Sequence, residues 1–431
     1  MLTMAEQSVN KTPDLNDCFL HDKDRLKHDE ALEILKAQIQ ALGRTETIPL
    51  KEATGRIIAE EITAPRNVPL SDNAAVDGYA FSHQSYEANG GVFPIVSRVA
   101  AGDLSPSAVP DDGAARIFTG ASMPEGTDSV AMQEDCETNE QDGVSFVTIP
   151  AGLKQGANCR RAGEDVREGT VLFSSGKRLN PADIASLASL GRDEISVFQN
   201  VRVAIISTGD ELVPAGNAIK AGQVYNSNGP LLESLLESLP VTVTNAGILP
   251  DDLDTISNTL QELSTSHDVI LTTGGASRGE EDHVLTALDA IGRRHMWQLA
   301  IKPGRPMTFG HIGNAAFIGL PGNPVAAFVC FLLYARQIIL ALGGATWQTP
   351  HRFPLPAAFS IAKKKTDRRE FQRGILREVD GHLMVDKFKR DGSGLISGLR
   401  EADGLIEIAE NINSLNEGDS VSFIPFHSFG L

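Results

Sequence analysis

The sequence predicts a multidomain α/β protein organised around one doubly wound, mostly parallel α/β domain, with a helical linker domain, an inserted β-rich domain and a C-terminal β domain. Three observations carry this expectation. From residue 201 to 344, apolar runs of strand length alternate with helical repeats. Between 64 and 164, short β-prone runs are divided by Gly, Pro and Asp clusters, and helical periodicity flanks them on both sides. After 344 a β-like pattern returns. The length of 431 residues agrees with several domains, because a single core rarely grows beyond about 250–300 residues.

In chain order, residues 1–22 are polar and acidic with few apolar anchors and are expected to form a disordered tail. The linker domain is expected at 23–63 plus 165–197. Its first helix is predicted over 29–42, where Ala31, Leu32, Ile34, Leu35, Ile39 and Leu42 fall at helical spacing and Gly43 would end the run. Its second helix is predicted over 181–190, with Asn180 as N-cap and Pro181 in the first helical position. The β-rich insertion, 64–164, shows runs at 93–99, 115–119, 129–133 and 144–149. The α/β domain, 198–346, has strands predicted at 201–207, 241–249, 268–272 and 315–319, with helices at 230–239, 253–263, 283–291 and 324–342. The C-terminal domain, 347–431, shows strand-like runs at 371–376, 382–385, 405–408 and 420–424.

Composition narrows the function classes. With 41% hydrophobic and 22% charged residues the chain is an ordinary globular protein. A formal net charge of −18 argues against nucleic acid and anionic membrane surfaces as partners, so an anionic ligand would need a local basic pocket. Cys18, Cys136, Cys159 and Cys330 form no C-x-x-C pair and read as reduced thiols. The N-terminus does not resemble a secretory signal. The apolar stretch 325–342 is interrupted by Tyr334, Arg336 and Gln337 and reads as a buried helix, so the cytoplasm is the expected location.

Open α/β sheets bind ligands beyond the carboxyl ends of their strands. Three loops there are glycine-rich: 207–211, containing Asp210 and Glu211; 273–279, containing Gly274, Gly275 and Ser277; and 320–324, containing Pro321, Gly322 and Asn323. Glycine lets backbone N–H groups approach phosphate oxygens, and helix N-termini favour negative charge. A tight turn explains any one of these loops, but three at one sheet edge point to an anionic, phosphorylated ligand. Nearby lie the carboxylates Asp210, Glu211, Asp251, Asp252, Glu280, Glu281 and Asp282, a subset of which could hold Mg2+ over a phosphoanhydride. Helix capping accounts for Asp251 and Glu280. Asp282, just after the Gly-Gly loop, is harder to explain that way.

The segment 301–306 sets Lys302 and Arg305 on a stretch stiffened by prolines, suited to a tetrahedral oxyanion, with a solvated surface loop as the competing reading. The run Lys363, Lys364, Lys365, Arg368, Arg369 and Arg373 fits a solvated face, or a source of one or two arginines for an anion in a neighbouring domain or subunit. His267, His283, His295 and His311 show no metal-binding spacing. The absence of G-x-S-x-G and of G-K-[ST] disfavours serine-triad and P-loop chemistry.

Read in order, the motifs 73–80 (NAAVDGYA), 117–121 (IFTGA), 160–165 (RRAGED), 207–212 (STGDEL), 273–277 (TGGAS), 300–306 (AIKPGRP) and 320–324 (LPGNP) resemble the MoeA-type molybdopterin molybdenumtransferases, the family that includes the gephyrin E domain. The resemblance runs from about Asp29 to the C-terminus. It implies a molybdopterin-binding type of α/β domain within a four-domain homodimer whose cleft is expected to draw on both subunits. The implied reaction hydrolyses adenylylated molybdopterin, releases AMP and inserts molybdate at the dithiolene, supported by Mg2+, with delivery to apo-molybdoenzymes. Carried over by position, Asp282 is expected to position metal or water, with Asp252 as a further metal ligand, and Asp77 and Thr119 to shape the facing wall as catalytic residues. Lys302, Arg305, Arg369 and Ser397 are expected to hold molybdate. Asp210, Glu211, Gly274, Gly275, Ser277, Pro321, Gly322 and Asn323 are expected around the nucleotide or pterin phosphates. Val76 stands where methionine is common, Arg305 where lysine is frequent, and Ala326 where a serine often follows, removing one hydroxyl donor. Two other readings are a related adenylyltransferase, disfavoured by the additional domains, and a non-catalytic scaffold, disfavoured by Asp282, Lys302 and Arg305.

Overall fold

The structure is a computed structural model that describes residues 25–104, 106–274 and 283–431. The expected tail, 1–22, lies outside the described residues. The α/β domain is a six-stranded sheet in the order Val241–Leu249, Val201–Thr208, Val269–Thr273, Ala315–Leu320, Pro306–Ile312, Arg293–Gln298. The first four strands are the predicted ones and run parallel; the last two pair antiparallel and were not predicted. Successive side chains of a strand point to opposite faces, and here they feed two cores. Ile205, Leu271 and Ile318 pack with Asn228–Glu237 and the helix from Pro324 on one face. Ile206, Ile270 and Phe317 pack with Leu253–Ser266 and His283–Ile291 on the other.

The apolar stretch 324–342 is one continuous buried helix, α-helical over Pro324–Cys330 and Arg336–Leu342 with a π-helical segment at Phe331–Ala335 between them. A helix apolar on all faces must be covered on all sides. The sheet covers one side. Ala31 and Leu35 of the helix His28–Gln38, together with Phe371, Leu405, Ile424 and Phe429 of the C-terminal domain, join the same core. The first predicted helix therefore ends at Gln38, four residues short of the expectation, and Ile39, not Gly43, occupies its C-terminal cap. It packs on the α/β domain, away from the second linker helix.

The remaining linker is less helical than its periodicity suggests. Pro181–Ser189 is capped by Asn180 as predicted, the Asn180 side chain accepting from Asp183 N–H at 3.0 Å. Two antiparallel ladders accompany it, Thr45–Pro49 with Glu194–Phe198 and Ile62–Thr63 with Val171–Phe173, around a core that includes Ile48, Ile58, Leu187 and Val197. The inserted domain is a six-stranded sheet containing all four predicted runs, plus Gly78–Phe81 and Glu137–Gln141. In the C-terminal domain, Arg369–Val379, Gly404–Ile408, Ser420–Pro425 and Phe353–Pro356 form a sheet extended by Ile301–Lys302 of the α/β domain, which pairs parallel to Arg369 and Glu370. That crossing strand fixes the basic segment against the C-terminal domain.

The shared core contains one buried titratable pair. His28 Nδ1 and the Tyr334 hydroxyl lie 2.6 Å apart, and the ring sits edge-on to Tyr334 and Phe371. Burial, with the nearby Arg369 charge, lowers the imidazole pKa from 6.5 to about 3. The unfolded chain therefore takes up this proton first as pH falls below 6.5. The stabilising contribution of neutral His28 is complete above 6.5 and declines toward pH 3 by up to roughly 1.4 kcal/mol per pH unit. On acidification from about pH 7 to about pH 5, wild type is expected to lose more melting temperature than His28→Gln; equal losses in thermal scans would remove His28 from the acid response.

Candidate active site

Two adjoining cavities open at the carboxyl ends of the parallel strands, and Pro306, Pro321 and Asn323 line both. The larger, about 760 Å³, is walled by Thr208 and Glu211 from the first glycine loop, Thr273 and Gly274 from the second, and the loop 321–324 from the third. The glycine positions follow from close approach. Gly274 has φ +94°, and a Cβ there would lie 2.6 Å from the Thr208 carbonyl oxygen. Asn228, at the start of Asn228–Glu237, fastens two of the loops by donating from Nδ2 to Thr273 Oγ1 and the Gly322 carbonyl, both at 2.7 Å. Its Oδ1 and Thr208 Oγ1 are buried without hydrogen-bond partners among the described residues.

The smaller cavity, about 390 Å³, carries the basic segment. Lys302 and Arg305 line it with Val325, Ala326, Arg373 and Ser393. Gly304 is required between the two cations: its φ is +101°, and a Cβ would stand 2.3 Å from buried Cys330 Sγ. Lys302 is 46% exposed and lies 3.7 Å from Glu370, which Arg368 and Gln372 also approach. Among the described residues the Arg305 side chain makes one long hydrogen bond, 3.4 Å to Gln298. Both cations thus face the cavity with weak commitments to the protein. Ala326 contributes a methyl group to this wall, while Ser393 brings a hydroxyl-bearing side chain to the same cavity.

The basic run at 363–373 divides into three fates. Lys364, expected on a solvated face, is 7% exposed, and its ammonium donates to four carbonyls, those of Lys365, Arg368, Ala409 and Ile412, at 2.9 to 3.3 Å. Arg369, expected to hold molybdate, does not line either cavity. Its guanidinium is spent on Asp29, Glu407 and Glu410 at 2.7 to 3.2 Å, clamping the helix His28–Gln38 to the C-terminal sheet. These carboxylates push its pKa up against the effect of burial. Arg373, four residues on, is the arginine that reaches the smaller cavity. It packs over Phe388 at 4.7 Å and donates to the Arg390 and Leu395 carbonyls, which holds the loop 390–395 in place. Ser397 lines neither of these cavities; its neighbour Ile396 lines the larger one, and Ser393 the smaller.

The carboxylates separate as clearly. Glu211 is on the wall of the larger cavity. Asp210 and Asp251 exchange backbone-to-carboxylate bonds at 3.0 and 3.3 Å, linking two strand-end loops. Asp252 caps Leu253–Ser266: its Oδ2 accepts from Thr255 N–H and Oγ1 at 2.8 and 2.6 Å, which holds its pKa below the usual range, helped by nearby His283. Asp77 accepts from Thr119 N–H and Oγ1, both at 2.8 Å, and these bonds lower its pKa. This pair sits in the inserted domain and lines neither cavity. Gly275, Ser277 and Asp282 lie outside the described residues. Sequence reasoning missed Asn226, Asn228 and Tyr225 of the larger cavity; the N-S-N-G-P run before a helix was the available signal.

Fold and site define a multidomain α/β enzyme whose strand-end cavities combine glycine loops with unspent cations. Three family models cover the chain in order: MoeA N-terminal region (domain I and II) at residues 26–191, a probable molybdopterin binding domain at 204–341, and MoeA C-terminal region (domain IV) at 354–426. The molybdopterin molybdenumtransferase of Haemophilus influenzae is 36% identical over 401 residues, spanning 93% of this chain and 98% of its own. That of Bacillus subtilis is 29% identical over 414 residues, 92% of this chain and 93% of its own. A solved molybdopterin biosynthesis moeA protein from Pyrococcus horikoshii matches with a TM-score of 0.78 at 28% identity, covering 93% of this chain and 100% of that one. The chain belongs to the MoeA family of molybdopterin molybdenumtransferases, transferases of molybdenum cofactor biosynthesis.

The division between spent and unspent cations has a direct test. Arg369→Gln leaves three carboxylates facing one another around a nearly buried position and is expected to destabilise the protein by roughly 3 kcal/mol. Lys302→Gln and Arg305→Gln are expected to leave the melting temperature nearly unchanged. A thermal shift series in which all three variants melt alike would refute the division.

Proposed function

We propose that the protein hydrolyses the phosphoanhydride of adenylylated molybdopterin, releases AMP and inserts molybdate into the dithiolene. The observation that supports this most is the shared wall at Pro321 and Asn323, which joins a glycine-loop cavity to one bearing Lys302 and Arg305. A phosphorylated pterin and a tetrahedral dianion need two such neighbouring subsites. In the first, backbone N–H groups of the glycine loops orient the phosphates. In the second, Lys302, Arg305 and Arg373 offset the charge of molybdate beside the dithiolene sulfurs. Holding both reactants at adjacent sites makes insertion effectively intramolecular.

Magnesium suits the carboxylates available. No group of three His, Cys, Asp or Glu side chains among the described residues forms a protein-only cage. Magnesium does not need one, since it accepts one or two carboxylates and fills its remaining positions with water and phosphate oxygens. Glu211 on the cavity wall, with Asp282 shortly after the second glycine loop in sequence, would hold it; Asp252 retains one oxygen outside its capping bonds. When bound, the ion offsets charge on the phosphoanhydride. Asp77 and Thr119 do not reach the cavities of their own chain, which supports a homodimer in which a second copy supplies the facing wall. The reading places the protein in the cytoplasm, where reduced thiols such as Cys136, Cys159 and Cys330 persist and apo-molybdoenzymes receive the cofactor.

Purified protein given adenylylated molybdopterin, magnesium and low molybdate is expected to release AMP and to yield a product that activates a molybdenum-free apoenzyme. Asp282→Asn is expected to abolish both signals. Lys302→Gln with Arg305→Gln should raise the molybdate concentration needed for insertion. If wild type releases no AMP under conditions where a known insertase does, the reading fails.

A further inference from the structure

Single exposed apolar side chains are normal on protein surfaces. Here three of them share one cavity. Val224, Tyr225 and Ile396 are 50%, 46% and 46% exposed, and all line the larger cavity. Tyr225 is the only aromatic residue among its described lining residues. It comes from the α/β domain, in a two-stranded parallel ladder of Leu212–Val213 with Val224–Tyr225, whereas Ile396 comes from the C-terminal domain.

The Tyr225 side chain and the Ile396 main chain are held before any ligand arrives. The Tyr225 hydroxyl donates to the Asn217 carbonyl at 3.0 Å, while Val224 N–H and Asn226 N–H bond to the Glu211 and Val213 carbonyls at 2.9 Å. The Ile396 carbonyl accepts from Leu399 N–H at 2.9 Å, and Arg373 holds the preceding Leu395 carbonyl. Fixing a side chain in advance reduces the entropy lost when it grips a ligand.

The chemistry of these two side chains indicates what is gripped. An aromatic face and a branched aliphatic side chain, both exposed in one cavity, fit the two faces of a flat ring.

We propose that Tyr225 and Ile396 are the two jaws of a clamp for a planar heteroaromatic ring of the substrate, one supplied by the α/β domain and the other by the C-terminal domain. The inference rests on the adenylylated molybdopterin reading, whose substrate carries two rings of this kind, pterin and adenine. A clamp built from both domains makes ring affinity depend on how the C-terminal domain is seated, since Arg373 holds the loop that ends at Ile396.

Calorimetric titration of the full-length protein with AMP, and separately with 6-carboxypterin, tests it without turnover. Wild type is expected to bind at least one of them. Tyr225→Ala and Ile396→Ser should each weaken that binding by about tenfold, whereas Tyr225→Phe keeps the ring and stays within about threefold. Melting curves should not move, because both positions are exposed. Loss of AMP affinity assigns the jaws to adenine, loss of pterin affinity assigns them to pterin, and either upholds the clamp. Unchanged affinity in Tyr225→Ala overturns it, as does a wild type that binds neither probe. A wild type that binds through Tyr225 yet releases no AMP from the adenylylated substrate would sink the proposed reaction and leave the clamp standing.

Discussion

The need to cover every face of the helix from Pro324 to Leu342 governs the rest of the architecture. No single sheet can do so, because a sheet covers one stripe of a helix and this one is apolar all round. The chain recruits an N-terminal helix and a whole C-terminal domain to the remaining faces, merging three segments distant in sequence into one core. The beginning of that helix is thereby fixed relative to all three segments. Pro321 and Asn323, just before it, are where the two cavities meet, so the point of contact between the subsites is set by core packing.

Electrostatics follow the same division of labour. A chain with net charge −18 can hold an anion only where its cations are left unneutralised. Arg369 is surrounded by three carboxylates, and the buried Lys364 ammonium is enclosed by four carbonyls away from both cavities, so neither serves an anion there. Lys302 and Arg305 escape that fate because they lie on and just after the crossing strand Ile301–Lys302, whose backbone is held by the C-terminal sheet. Holding the main chain leaves the side chains with only long contacts among the described residues, 3.7 Å from Lys302 to Glu370 and 3.4 Å from Arg305 to Gln298.

What the sequence revealed follows from this physics. Three of the four parallel strands are buried on both faces and read as continuous apolar runs, while the edge strand Val241–Leu249 is only half-buried and begins with apolar and polar residues in alternation. The two antiparallel strands did not read so, since one begins with Arg293, Arg294 and His295 and the other with a proline. The glycine loops were legible because close backbone approach requires glycine, as at Gly274. The choice between Arg369 and Arg373 was not. They lie four residues apart on one strand, on the same face by its period of two, and differ only in their partners. Asp29, the partner that removes Arg369 from the site, is 340 residues away in sequence.

The third glycine loop gives the reason the cations matter as much as they do. A helix N-terminus at the sheet edge would ordinarily offer its free N–H groups to an anion. At Pro324 the proline has no N–H to offer, and the next donor, Val325 N–H, is taken by the Ser393 carbonyl at 2.9 Å. The C-terminal domain thus occupies the position an anion would otherwise use. The same loop that carries Ser393 is held by Arg373, so the domain that removes a backbone donor brings a guanidinium to the cavity in its place. The smaller cavity has accordingly become a side-chain site, while the larger one, with Gly274 and Gly322 on its wall, keeps its backbone open to the ligand.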